Sequence, residues 1–153
     1  MGETTFTTPS DREIEVTRVF DAPQERVFEV WTTCEHVAAW SGPEGWDLAG
    51  CDVDARTGGS FRYVWRRPDG LEVPSEGTYE EFVPPERIVT VVPTFGEPTR
   101  TVLTLTEADG KTTMTYRVGY PSTPIRDAAL APEMKDGMIR GYDRLEQHLS
   151  TLA

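Results

Sequence analysis

Residues 132–152 read PEMKDGMIRGYDRLEQHLSTL, and this stretch decides the fold. Met134, Met138, Gly141, Leu145, Leu149 and Leu152 recur at three- and four-residue intervals, which puts them on one stripe of an α-helix. At 1.5 Å per residue, about 20 residues make a rod of roughly 30 Å. A helix with one apolar stripe must lay that stripe on a partner surface, and the residues before it supply a sheet.

The clearest strand is Ser60 to Arg67, where Phe61, Tyr63 and Trp65 alternate with Arg62, Val64 and Arg66. Pro68-Asp69-Gly70 turns the chain into a strand over Glu72 to Val83, which Pro84-Pro85-Glu86 ends. Strands over Ile88 to Pro93 and Arg100 to Thr106 follow, joined by a Gly/Pro-containing link. Asp109-Gly110 is the strongest hairpin signal in the chain and leads into Lys111 to Tyr120, with Met114, Tyr116 and Val118 on one face. Before Ser60, Thr57-Gly58-Gly59 turns the chain out of a strand over Trp46 to Ala55.

At the N-terminal end, Glu13 to Phe20 alternates, with Ile14, Val16, Arg18 and Phe20 on one side. Asp21 fits an N-cap with Gln24 three residues on, so a capping box is expected to open a helix that carries Val27, Phe28, Val30 and Trp31 to about Thr33. A second short helix spans about Glu35 to Trp40 and runs into the turn Ser41-Gly42-Pro43-Glu44-Gly45. The order strand, two short helices, strand meander, long helix is α+β, with a curved antiparallel sheet gripping the terminal helix. Residues 1–12 read as a flexible lead-in and 13–153 as a single ligand-binding domain.

The totals agree with one domain. A chain of 153 residues buries roughly 70% of its unfolded surface, enough for a core and an internal pocket together. The net charge of -11 argues against nucleic acid and against an anionic membrane surface as partners. No stretch reaches the length of a membrane span and no N-terminal run reads as a signal peptide, so a cytoplasmic protein with Cys34 and Cys51 reduced is the expectation.

Further residues are familiar. Arg18-Val19-Phe20-Asp21-Ala22-Pro23, Val27-Phe28-Glu29-Val30-Trp31 and Trp40-Ser41-Gly42-Pro43 come first. Gly58-Gly59-Ser60-Phe61-Arg62, Pro68-Asp69-Gly70, Gly77-Thr78-Tyr79-Glu80-Glu81, Pro84-Pro85-Glu86-Arg87-Ile88-Val89 and Gly141-Tyr142 follow in order. Together they resemble the heat-shock chaperone ATPase activator homologues, in the START and birch-pollen-allergen superfamily. The resemblance runs from about Glu13 to Leu152. It departs at Tyr142, where the family usually carries tryptophan. It implies a helix-grip fold and a hydrophobic cavity beneath the terminal helix, and it does not imply one activity. Relatives include lipid carriers, polyketide aromatase/cyclases, resistance proteins that bind reactive natural products, and chaperone activators.

The candidate pocket lining is Trp40, Phe61, Tyr63, Trp65, Tyr79, Tyr116, Met134, Met138 and Tyr142. Aromatic walls with a few hydroxyls suit a small molecule, tyrosine can orient it, and methionine adapts to its shape. The same residues can equally form a plain core. The loop Trp40 to Trp46 reads as a gate or as a turn anchored by its two tryptophans. No cofactor or metal is expected, since His36 and His148 have no partners at metal-ligand spacing. Glu76, Glu80 and Glu81 read as a solvated strand face; an inward one would suit acid–base chemistry. Arg18 or Arg117 in the interior would need a carboxylate that the sequence does not name.

A binding module for a small hydrophobic or aromatic molecule therefore ranks first. An aromatase/cyclase-like enzyme in the same cavity ranks second, with no catalytic residue assigned. A chaperone cofactor ranks third: activators in the family usually carry an additional N-terminal domain, and chaperone binding is not expected here. A homodimer stays open.

Overall fold

The computed structural model describes residues 2–94 and 97–152. Eight strands form one open antiparallel sheet: β1 (Thr5–Thr7), β2 (Glu13–Phe20), β3 (Asp47–Val53), β4 (Ser60–Arg66), β5 (Glu72–Val83), β6 (Arg87–Thr94), β7 (Glu97–Ala108) and β8 (Lys111–Gly119). Their spatial order is β1-β2-β8-β7-β6-β5-β4-β3. β2 therefore pairs with the last strand while β3 forms the opposite edge. The chain between them must cross the sheet, and it does so as two helices, α1 (Gln24–Thr32) and α2 (Cys34–Trp40). A short α3 (Thr123–Ala129) and the long α4 (Pro132–Thr151) complete the α+β helix-grip architecture. Residues 95–96, within the expected link between β6 and β7, lie outside the described residues.

Curvature has a local origin. The register shifts between Leu48 and Gly50 on β3 and between Tyr79 and Glu81 on β5. An extra residue on one strand bends it and raises its twist, and both shifts fall at the β3–β5 end of the sheet.

The core follows the alternation of β2. Ile14, Val16, Arg18 and Phe20 are all buried, with Val27 and Val30 of α1, Met114 of β8 and Leu145 and Leu149 of α4. Arg18 finds its carboxylates in Asp143 and Glu146. Arg117 does not enter the core: it stays at the surface and pairs with Glu15.

Several expectations change. The lead-in is not free, because Thr5–Thr7 pairs with Thr17–Glu15 and Thr4 Oγ1 accepts from Arg18 Nη1 at 3.0 Å. The threonine-rich run has the β-branched content of a strand, a signal too short to read alone. The capping box does not form: α1 begins after Pro23 with no side-chain cap. Glu107 Oε1, distant in sequence, accepts from the Gln24 N–H at 2.6 Å, and Gln24 Nε2 donates to the Leu105 carbonyl. α3 is an addition to the expected elements: Ser122 accepts from the Ile125 N–H at its start and Pro124 sits in its first turn.

The cysteines also differ from expectation. Cys34, opening α2, and Cys51, on edge strand β3, form a disulfide. Folding back the two crossover helices brings together residues 17 apart, with Cα atoms at 6.0 Å, within the range a disulfide spans. The reduced-thiol argument for a cytoplasmic location falls with it.

Candidate ligand-binding site

Two adjoining hollows lie on the concave side. The inner one is a chamber of about 260 Å³. Its sheet wall takes Phe61, Tyr63 and Trp65 from β4, Ser75 and Tyr79 from β5, and Ile88, Thr90, Thr101, Leu103 and Tyr116 from β6, β7 and β8. Side chains two apart on a strand share a face, so the alternation of β4 delivers three aromatic rings to one wall. The facing wall is Trp31, Val37 and Trp40, closed at one end by Ser41 and Gly42.

The outer hollow, about 500 Å³ and open to solvent, is bounded by Met134, Gly137, Met138 and Tyr142 of α4, by the loop Ser41–Glu44, and by Glu133, Arg140 and Arg144. Trp31, Trp40, Ser41, Gly42 and Tyr116 border both hollows. All nine residues expected to line a pocket border one hollow or the other. The expected geometry shifts, however. The terminal helix borders only the outer hollow, and the inner chamber is roofed by the end of α1 and by α2.

The apolar stripe of α4 explains this split. Leu145 and Leu149 are sealed in the core, but Met134 is 51% exposed. A Cβ added to Gly137 would meet nothing within 4 Å. The C-terminal half of α4 seals Leu145 and Leu149 into the core against α1 and α2, and the N-terminal end leaves Met134 exposed as a rim.

Tryptophans fix the neck between the hollows. Trp40 Nε1 donates to the Val30 carbonyl at 2.8 Å. The Trp31 ring stands 4.9 Å from Trp40 and 5.4 Å from Tyr116, centroid to centroid. The loop after Trp40 is anchored rather than free: Arg144 donates to the Trp40 and Gly42 carbonyls, and Glu44 pairs with Arg140 at 2.7 Å and with Arg144 at 3.2 Å. Gly42 has φ +85°, and a Cβ there would lie 2.5 Å from the Trp65 ring, so only glycine fits. Trp46 borders neither hollow; the Arg67 guanidinium lies 6.0 Å from its ring centroid.

The polar groups inside are hydroxyls. Thr90 and Thr101 stand opposite each other on β6 and β7 with their Oγ1 atoms in contact, and Tyr116 hydrogen-bonds to Thr101 from β8. Tyr63 and Tyr79 are linked phenol to phenol. Burial drives the Tyr116 phenol up to about 12 and raises Tyr63 and Tyr79 as well, so all three stay protonated at neutral pH. No carboxylate, histidine, lysine or arginine borders the inner chamber among the described residues. Glu76, Glu80 and Glu81 pair outside with Arg62, Arg100 and Arg87.

Away from the chamber, His36 Nδ1 lies 2.9 Å from His148 Nε2 and His36 Nε2 lies 3.2 Å from Glu29 Oε1, joining α2, α4 and α1. The two histidines are 112 residues apart, and no local pattern marks them as partners. Among the described residues no group of three or more His, Cys, Asp or Glu could hold a metal ion.

An open antiparallel sheet closed by a terminal helix, with an aromatic chamber on its concave side, defines a helix-grip protein. The model of the family described as Activator of Hsp90 ATPase homolog 1-like protein matches residues 21–150, and the chain belongs to that family. The fold is shared with a crystal structure from Rhodobacter sphaeroides, 27% identical, TM-score 0.90, covering 97% of this chain and 99% of that one. A protein from Nitrosomonas europaea is 22% identical at TM-score 0.83, covering 94% and 97%. An AHSA1-like protein from Aeromonas hydrophila is 17% identical at TM-score 0.72, covering 90% and 93%. No curated protein matches this chain in sequence. No helix among the described residues is long and apolar enough to cross a membrane.

Proposed function

We propose that this protein binds a small, uncharged, ring-bearing molecule in the inner chamber, with the outer hollow as its entrance. One observation carries the reading: a chamber of about 260 Å³ walled by Phe61, Tyr63, Trp65, Tyr79, Trp31 and Trp40 is bordered by hydroxyls and, among the described residues, by no charged group. Small-molecule sites are concave, mostly apolar and oriented by a few polar groups. Transfer of an ion into such a lining would leave it without counter-charge, which selects neutral ligands. The size suits a molecule of two or three fused rings, and a longer substituent would extend past Trp31 toward Met134 and Met138.

Acid–base catalysis needs a group that exchanges a proton near neutral pH. Tyrosines held at high pKa by burial serve as hydrogen-bond donors instead, so carrying or sequestering a ligand fits this lining better than turnover. The family description names a chaperone ATPase; the chamber offers no argument for that contact, and no stimulation of such an ATPase is expected.

A thermal-shift screen against neutral polycyclic compounds and lipids, followed by native mass spectrometry, tests the reading. Hits are expected to be flat neutral ring systems that quench tryptophan fluorescence. A screen whose hits are all charged, or that yields none, would sink it.

A further inference from the structure

Among the described residues, two buried side-chain nitrogens have no hydrogen-bond partner: Arg18 Nε and Trp31 Nε1. Arg18 meets its charge through its other two nitrogens, which reach Thr4, Asp143 and Glu146. Trp31 has a single donor, and that donor is unmet. An indole N–H can only donate, and a buried donor without an acceptor is costly relative to a paired one. The neighbouring Trp40 shows the ordinary solution, since its Nε1 reaches the Val30 carbonyl.

The location makes the orphan informative. Trp31 borders both hollows and packs against Trp40 and Tyr116 at the neck. The neighbouring hydroxyls do not answer it: Tyr116 is bonded to Thr101, and Thr101 touches Thr90. The neck thus holds an unmatched donor on the α1 side, and because Trp31 Nε1 is itself buried, a ligand reaches it only through a turn of the indole. On the sheet side, the Thr90–Thr101–Tyr116 row has already matched its own donors and acceptors in part.

We infer that Trp31 is a specificity-determining residue of the chamber, and that its Nε1–H donates to an acceptor oxygen, a ring carbonyl or equivalent, on the bound molecule. The inference rests on the proposed ligand-binding reading and narrows it from neutral ring systems to neutral aromatic carbonyl compounds. Binding turns the Trp31 indole at the neck so that its N–H meets the ligand oxygen, while Phe61, Tyr63 and Tyr79 hold the rings. A hydrocarbon of the same shape fills the same space and leaves the donor orphaned. Discrimination between the two is worth one neutral hydrogen bond, which corresponds to roughly threefold to tenfold in affinity.

Fluorenone and fluorene differ only by carbonyl against methylene and are suitable probes. Dissociation constants are measured for both by tryptophan-fluorescence titration, on the wild-type chain and on Trp31→Phe. The expected result is roughly threefold to tenfold preference of the wild type for fluorenone, and loss of that preference in Trp31→Phe, read as the ratio of the variant's two dissociation constants and not as either one alone. In the wild type labelled at indole nitrogen, one of the four tryptophan N–H signals, the one missing from Trp31→Phe, is expected to move downfield with fluorenone and not with fluorene. Equal wild-type affinities, or a fluorenone preference retained in Trp31→Phe, overturn the inference and leave the chamber reading standing. Binding of neither probe overturns both. The wild-type comparison and the nitrogen signal decide the matter even if the variant folds poorly.

Discussion

Arg18 Nη2 sits 2.8 Å from Asp143 Oδ1, and this contact joins the second strand of the sheet to the middle of α4. Glu146 Oε1 lies 3.1 Å from the same nitrogen and also accepts from the Gly2 N–H at 2.8 Å. One buried guanidinium therefore ties the N-terminal segment, the sheet and the terminal helix together.

Arg18→Met is expected to destabilise the protein by about 3 kcal/mol in urea unfolding, the lower part of the range for breaking a buried pair. The lower part applies because Asp143 and Glu146 keep side-chain exposures of 32% and 26%. A loss under about 1 kcal/mol would show the network to be incidental to α4 docking.

The same network sets an acid limit. Burial works against the Glu146 charge, but the Gly2 N–H and Arg18 outweigh it and hold the carboxyl below its usual 4.5. A group with a depressed folded pKa stabilises above its unfolded value and loses that contribution as pH falls through the folded one. Stability is thus expected to drop on acidification below about pH 4.5, and Glu146→Gln should flatten that part of the curve. An unchanged slope would exclude Glu146 as a source.

The histidine pair predicts a second, milder decline at higher pH. Burial, and then the charge of His36, lower the pKa of His148 from 6.5. The unfolded chain takes up that proton first, so stability falls as pH drops from 6.5 toward the lower folded value. His148→Gln is expected to remove this dependence in thermal melts between about pH 7 and pH 5. The prediction fails if wild type and variant shift in parallel.

Gly42 and Gly45 separate backbone strain from steric contact. Both have positive φ, +85° and +81°, but only at Gly42 does an added Cβ meet Trp65. Gly45→Ala should cost about 1–2 kcal/mol for a left-handed alanine. Gly42→Ala should cost more and also displace Trp65, seen as a change in near-ultraviolet circular dichroism. Equal costs would mean that the loop does not rest on that ring.

The Cys34–Cys51 bond closes a loop whose ends are 17 residues apart. Chain-entropy reasoning gives such a crosslink about 3 kcal/mol. Free-thiol titration of the denatured protein is expected to find none before reduction and both cysteines after it, with reduction lowering the melting temperature. Two titratable thiols before reduction would refute the bond.

The ladder of strands was legible from β3 to β8 because alternation and turn chemistry act over a few residues. Pro68-Asp69-Gly70 and Asp109-Gly110 bracket the hairpins, and β5 spans Glu72–Val83, as its turn residues indicate. β1 and α3 were not legible. β1 gains its hydrogen bonds from β2, and α3 is too short to show a period. The cap of α1 fails for the same reason: Glu107 replaces Asp21 across 83 residues of chain.

The candidate lining divides in the same way. Phe61, Tyr63 and Trp65 announce a common face through their spacing. Trp31 and the threonines of β6 and β7 do not, since nothing local distinguishes a threonine facing a chamber from one facing water.

The amino-acid sequence by itself determined the elements and their faces: an amphipathic terminal helix, a strand meander and an aromatic stripe on β4. These follow from side-chain periodicity, which each segment carries alone. Tertiary structure alone decided that α4 seals with Leu145 and Leu149 and lifts at Met134, that Cys34 meets Cys51, and that the Trp31 donor is left without a partner at the neck. Each is a relation between residues far apart in the chain, and it exists only once sheet curvature and helix docking have set their distances.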